Sequence, residues 1–130
     1  MPKKVLAVDD DPDIIAFVKT VLEENGYIPL IARNGEAGLA MVQQETPALV
    51  ILDVLMPKQS GIRMYREMKQ DESMKDVPVV ILSGIAKRTF LRSQEALTEF
   101  GDAVVPEPDA YIEKPVEPEE LADTVRQLIG

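Results

Sequence analysis

Five short apolar runs, at positions 5–8, 28–32, 48–52, 77–82 and 110–112, alternate with five segments whose apolar residues recur at helical spacing, at 12–25, 36–44, 62–70, 88–100 and 118–129. The runs are rich in β-branched residues and near-continuous, as in Val79-Val80-Ile81-Leu82, the pattern of strands covered by helices on both faces. In the first helical segment Ile14, Ile15, Phe17, Val18, Val21 and Leu22 form one stripe, the face such a helix buries. Asp11 reads as its N-cap, Pro12 as its first helical residue and Gly26 as its stop, because each residue type suits the free backbone groups or the φ angle of its position. Pro118 opens the last segment, with Leu121, Val125 and Leu128 on its face, and Met41, Met64 and Met68 read as core filler on helical stripes.

Strand–helix alternation with short connections implies right-handed βαβ units and a mostly parallel sheet. The expected closure is α/β: a doubly wound five-stranded parallel sheet of order 2-1-3-4-5 with five helices, a flavodoxin-like three-layer sandwich. Ligands of such sheets bind beyond the strands' carboxyl ends at the switch point, here between strands one and three. Asp9 and Asp10 follow the first run, Asp53 the third, and Lys114-Pro115 the last. Carboxylates crowded together raise one another's pKa unless a cation joins them. The cluster therefore reads as a divalent-metal and phosphate site.

Composition narrows the chemistry further. At 130 residues the chain is one domain with enough length to bury a core. Its net charge of −9 disfavours direct binding to nucleic acid or an anionic membrane, which need a basic face, and no basic run exceeds Lys3-Lys4 or Lys87-Arg88. With no cysteine and no histidine, thiol catalysis, zinc-thiolate sites and imidazole bases are excluded, leaving a hard cation held by oxygen. No signal-peptide or membrane-spanning run is present, so the cytoplasm is the expected compartment.

The set Asp9-Asp10, Asp53-x-x-Met56-Pro57-x-x-x-Gly61, Leu82-Ser83-Gly84 and Tyr111-Ile112-Glu113-Lys114-Pro115 resembles a response-regulator receiver domain of two-component signalling, over nearly the whole chain. The resemblance implies that Asp53 is the phosphoacceptor, since a carboxylate attacks phosphorus once the charges are neutralised. It implies Mg²⁺, with Mn²⁺ as the alternative, held by Asp10 and Asp53 directly, by Asp9 partly through water, and by the backbone carbonyl of Leu55. Asp11 and Asp13 are left to helix capping. Lys114 would face Asp53 and then a phosphoryl oxygen, next to a peptide bond to Pro115 that is cis in the family. Ser83 and Tyr111 would form a switch, the hydroxyl meeting the phosphoryl group and the ring turning inward. Pro57 would stiffen the loop after the acceptor, Gly61 would permit a tight turn into helix three, and Gly84 would leave room for the phosphoryl group. Leu55 and Ile85, apolar at the rim, would shield the acyl phosphate from water.

The implied partners are a histidine kinase or histidine phosphotransfer protein and an unknown downstream protein reached by protein–protein contact. An isologous homodimer through helix four and strand five is compatible with the reading and required by nothing in it. The chain departs from the family pattern between Ser83 and Lys114, which stand 31 positions apart (114 − 83), longer than usual. The excess lies in the helix-four to strand-five region, about 86–110, as a lengthened helix, an added loop or a hairpin. It either remodels the partner surface or is tolerated at little entropic cost. With no output domain read within these residues, the expectation is either a stand-alone receiver or a fragment of a larger regulator, the last helix running directly to Gly130 leaning toward the former. A signalling switch rather than a metabolic enzyme is expected. The rivals are a haloacid-dehalogenase-like phosphohydrolase with its nucleophile within Asp9-Asp10-Asp11, and a receiver-like binding module that is never phosphorylated.

Overall fold

A computed structural model describes residues 2–99, 101 and 103–130. Its strands are β1 (Lys4–Val8), β2 (Ile28–Ala32), β3 (Leu49–Leu52), β4 (Val79–Ser83) and β5 (Ala110–Glu113). Its helices are α1 (Pro12–Glu24), α2 (Gly35–Glu45), α3 (Ser60–Gln70), α4 (Lys87–Glu99) and α5 (Pro118–Ile129). All strand pairs are parallel, in the order β2-β1-β3-β4-β5, as the alternation of the chain requires.

Alternate residues of each central strand feed opposite cores, because side chains leave a strand with period two. Leu6, Val8, Val50, Leu52, Val79 and Ile81 pack with Val42 of α2, Met64, Tyr65 and Met68 of α3, and Phe90 of α4. Val5, Ala7, Leu49, Ile51, Val80 and Leu82 pack with Ile15, Val18, Val21 and Leu22 of α1 and Leu121 and Val125 of α5. Met64 and Met68 are fully buried and Met41 packs at the edge of the first core, matching their reading as filler.

The caps are also as the residue types imply. The Asp11 carboxylate accepts the Asp13 N–H at 2.9 Å with Pro12 in the first turn, and Gly26 follows α1 at φ +83°. Several ends shift by one or two residues, and two of these shifts bear on the site. β4 begins at Val79 rather than 77, since Pro78 has no N–H to donate and the Val77 N–H closes a turn on the Met74 carbonyl. The fourth helix runs Lys87–Glu99; Phe100, expected at its end, and Asp102 lie outside the described residues. Residues 103–108 are irregular, with no hairpin among the described residues of that stretch. Pro106 and Pro108 cannot continue a helix there.

Candidate functional site

The ladder extends one residue past several strand ends, which aligns the chemistry. The Asp9 N–H donates to the Ala32 carbonyl at 3.2 Å, the Asp53 N–H to Val8 at 3.0 Å, and the Lys114 N–H to Ser83 at 2.9 Å. Asp9, Asp53, Ser83 and Lys114 therefore leave the sheet along one edge, at the carboxyl ends of β1, β3, β4 and β5. The Lys114–Pro115 peptide bond is cis.

Asp9 and Asp53 are buried, while Asp10 is exposed. One carboxylate oxygen from each of the three lies within 4.8 Å of the others. The Lys114 ammonium donates to Asp9 Oδ2 at 3.1 Å and to Asp53 Oδ2 at 3.2 Å. The other oxygens are held by backbone: Asp9 Oδ1 accepts the Asp11 N–H at 2.9 Å, and Asp53 Oδ1 accepts the Leu55 N–H at 2.8 Å. Burial pushes the Asp9 carboxyl above its usual pKa, against the pull of the Asp11 N–H and Lys114. Burial alone would depress Lys114, but Asp53 and Asp9 outweigh it and its pKa is raised. Two of the three clustered carboxylates, Asp9 and Asp53, thus share the Lys114 ammonium, with Asp10 beside them. An all-oxygen donor set with excess negative charge fits a hard divalent cation.

Ser83 is fully buried, and its Oγ accepts the Ile85 N–H at 3.3 Å. The half-buried Tyr111 donates its hydroxyl to the Ile85 carbonyl at 2.6 Å, and its ring lies tilted on Phe90, centroids 5.6 Å apart. Burial, then Glu113 and Asp53, push the phenol pKa up to about 12, while a hydrogen bond with Ser83 pulls it back. The ring is therefore already engaged with the loop after β4. Leu55 leaves its side chain 61% exposed at the rim, with Ile85 half-buried opposite. A Cβ on Gly84 would meet nothing within 4 Å, so the space beside Ser83 is open.

Gly61 requires a correction. The sequence reads it as permitting the turn before helix three, but the turn is made by Lys58 and Gln59, at φ 59° and 56°, within the single 3₁₀ turn that Pro57 opens. Gly61 lies inside the first turn of α3. A Cβ there would stand 2.2 Å from the Asp53 carbonyl oxygen and 2.8 Å from Val54 Cα. The absent side chain lets α3 press against the backbone that carries Asp53.

Several anchors were not legible in the pattern. The buried Tyr65 donates its hydroxyl to the Pro106 carbonyl and stands edge-on to Phe90 at 5.8 Å. Arg66, also buried, donates to Gln94 Oε1 and to the Ala103 carbonyl. Asp109 accepts the Val79 N–H at 2.8 Å, and Lys69 stands 4.0 Å away with its pKa lowered by burial. The one available signal was an arginine between Met64 and Met68, which helical periodicity treats as solvent-facing.

Against known proteins, the family model of the response regulator receiver domain matches residues 5–126. The chain is 25% identical over 130 residues to the polar-differentiation response regulator DivK of Brucella anthropi, covering 98% of that protein. It is 33% identical over 129 residues to the alkaline phosphatase synthesis transcriptional regulatory protein PhoP of Bacillus subtilis, of which it spans only 49%. The crystal structure of the signal receiver domain of a signal transduction histidine kinase from Syntrophus aciditrophicus superposes with TM-score 0.81 at 30% identity, covering 98% of this chain and 89% of that one.

Proposed function

We propose, from the premise that the chain belongs to the response regulator receiver domain family, that it is a phosphoacceptor switch whose phosphorylation site is Asp53. The phosphoryl group would come from a phosphohistidine on a partner histidine kinase or phosphotransfer protein. A carboxylate oxygen of Asp53 attacks phosphorus, the new P–O bond forms as the P–N bond breaks, and the imidazole leaves with the electron pair. Such transfers proceed by positioning and charge neutralisation. The observation that carries the reading is the Lys114 ammonium seated between Asp9 and Asp53, at 3.1 and 3.2 Å. Its charge would offset that of the phosphoryl oxygens brought up to Asp53.

Asp9, Asp10, Asp53 and the Leu55 carbonyl would hold Mg²⁺, with Mn²⁺ as a substitute. The ion would supply neutralising charge to the phosphoryl oxygens during transfer. Asp9 fixes Lys114 from the far side, and the Leu55 N–H fixes the orientation of Asp53.

A new phosphoryl group carries about −1.5 to −2 charge. Ser83 and Tyr111 are tied to the same residue, Ile85, from its N–H and its carbonyl, so charge felt at Ser83 reaches the loop after β4 and then α4. Output would be by contact with another protein, by a switch rather than a metabolic enzyme. Among the described residues no helix is long and apolar enough to cross a membrane, and the reading assigns the chain to the cytoplasm.

The test is incubation with acetyl phosphate or beryllofluoride, with and without Mg²⁺, for wild type and Asp53→Asn. A Mg²⁺-dependent adduct on Asp53 in wild type alone is expected by mass spectrometry. Its absence from wild type would overturn the reading.

A further inference from the structure

Between α4 and the irregular stretch after it lies a groove of about 440 Å³. It exists because Arg66 and Tyr65 of α3 hold the Ala103 and Pro106 carbonyls, keeping this stretch alongside the helix. Phe90 and Leu91 of α4 and Val105 and Pro106 of the stretch give it apolar walls. Val104, at its mouth, is 81% exposed, an unusual position for a valine with nothing to cover it. Three exposed carboxylates, Glu95, Glu99 and Glu107, line the groove, and no lysine or arginine does.

We propose that this groove docks a short peptide segment of another protein, one that presents apolar anchors flanked by lysine or arginine. Apolar walls select the anchors by burial, and the carboxylates select flanking cations while repelling acidic segments. Leu91 to Glu99 spans eight helical rises, about 12 Å, room for roughly two turns of a helical ligand. Gln94 is a polar residue of the groove's inner wall. Arg66 holds its Oε1 from the inner side, fixing this side chain in the groove wall. The groove lies within the 31-position interval between Ser83 and Lys114. At its inner wall Phe90 touches Tyr111, one ring from the candidate phosphorylation site.

The probe is a labelled synthetic peptide with leucines at i, i+4 and i+7 and lysines between, read by fluorescence anisotropy at low and moderate salt. Its controls are the glutamate counterpart and a scrambled peptide of equal charge. Because the whole chain is acidic, the decisive comparison is between two triple variants on exposed positions. Glu95→Lys/Glu99→Lys/Glu107→Lys should weaken binding at least tenfold. Glu119→Lys/Glu120→Lys/Asp123→Lys on α5 should change it less than twofold. Val104→Ser should weaken it severalfold with no change in charge. Equal loss in both triple variants, equal binding of the scrambled peptide, or no binding to wild type would overturn the proposal. The docking does not rest on phosphoryl transfer: Asp53→Asn should bind the peptide as wild type does. A chain that binds peptide but takes no phosphoryl adduct would sink the phosphorylation reading alone.

Discussion

Gly61 presses so closely on Asp53 that a Cβ at position 61 would stand 2.2 Å from the Asp53 carbonyl oxygen. That oxygen is backbone and cannot swing aside, so relief must come from moving α3 or the strand end. Gly61→Ala should cost about 1–3 kcal/mol, the range for overpacking a tight contact, measured by urea denaturation. It should also slow formation of the Asp53 adduct although every ligand residue remains. A variant with wild-type stability and adduct rate would show that the contact relaxes freely.

Lys114 competes with any cation for Asp9 and Asp53, its ammonium lying 3.1 and 3.2 Å from them. Lys114→Met removes that competitor and leaves the carboxylates to a metal. Mg²⁺ should then bind roughly tenfold tighter, about 1.4 kcal/mol, by calorimetric titration, while adduct formation falls sharply. Weaker Mg²⁺ binding in the variant would contradict this electrostatic account.

The Tyr111 phenol is held neutral up to a pKa of about 12 by burial, Glu113 and Asp53. Its folded value exceeds the ordinary phenol value of 10.0, so the folded state binds more protons than the unfolded state between the two. Its contribution to stability is complete below about pH 10 and is lost as pH rises toward 12. Burial also pushes the Tyr65 phenol up, so ultraviolet titration should show two late tyrosinate steps, of which Tyr111→Phe removes one. An unchanged titration in Tyr111→Phe would assign that step elsewhere.

Leu55 holds an apolar side chain, 61% exposed, at the rim of the cleft, while its N–H orients Asp53. Leu55→Asn keeps the N–H and replaces the apolar cover with a group that binds water. The acyl phosphate should hydrolyse severalfold faster in the variant, followed by decay of the adduct after acetyl phosphate is removed. Equal lifetimes would show that Leu55 shields nothing.

Asp109 accepts the N–H of Val79, which is fully buried at the start of β4. Asp109→Ala leaves that donor without its partner, at a cost of about 1–3 kcal/mol. Asp109→Asn, which keeps an acceptor, should recover most of it in thermal unfolding. Equal destabilisation by both would point to charge rather than the hydrogen bond.

Strand–helix alternation settled the sheet order and the layers, because period-two and period-3.6 burial act locally and leave few closures for five βαβ-linked strands. It also located Asp9, Asp10, Asp53, Ser83 and Lys114, since a residue just past a parallel strand lands at the sheet's carboxyl edge whatever its neighbours are. The rest depended on pairings that no local pattern encodes. Tyr65 with Pro106, Arg66 with Gln94, and Arg66 with Ala103 join residues 28 to 41 positions apart. Two of them end on backbone carbonyls of an irregular stretch, where side-chain type says nothing about the partner, and the third on a side chain of α4. The role of Gly61 was hidden for a related reason. A glycine reads in sequence as a turn, yet here its missing side chain matters for an approach between α3 and the end of β3 that only the packed fold brings about. The groove beside α4 is of the same kind. Its apolar and acidic residues were visible along the chain, but their placement around one cleft follows from where Tyr65 and Arg66 hold residues 103–106.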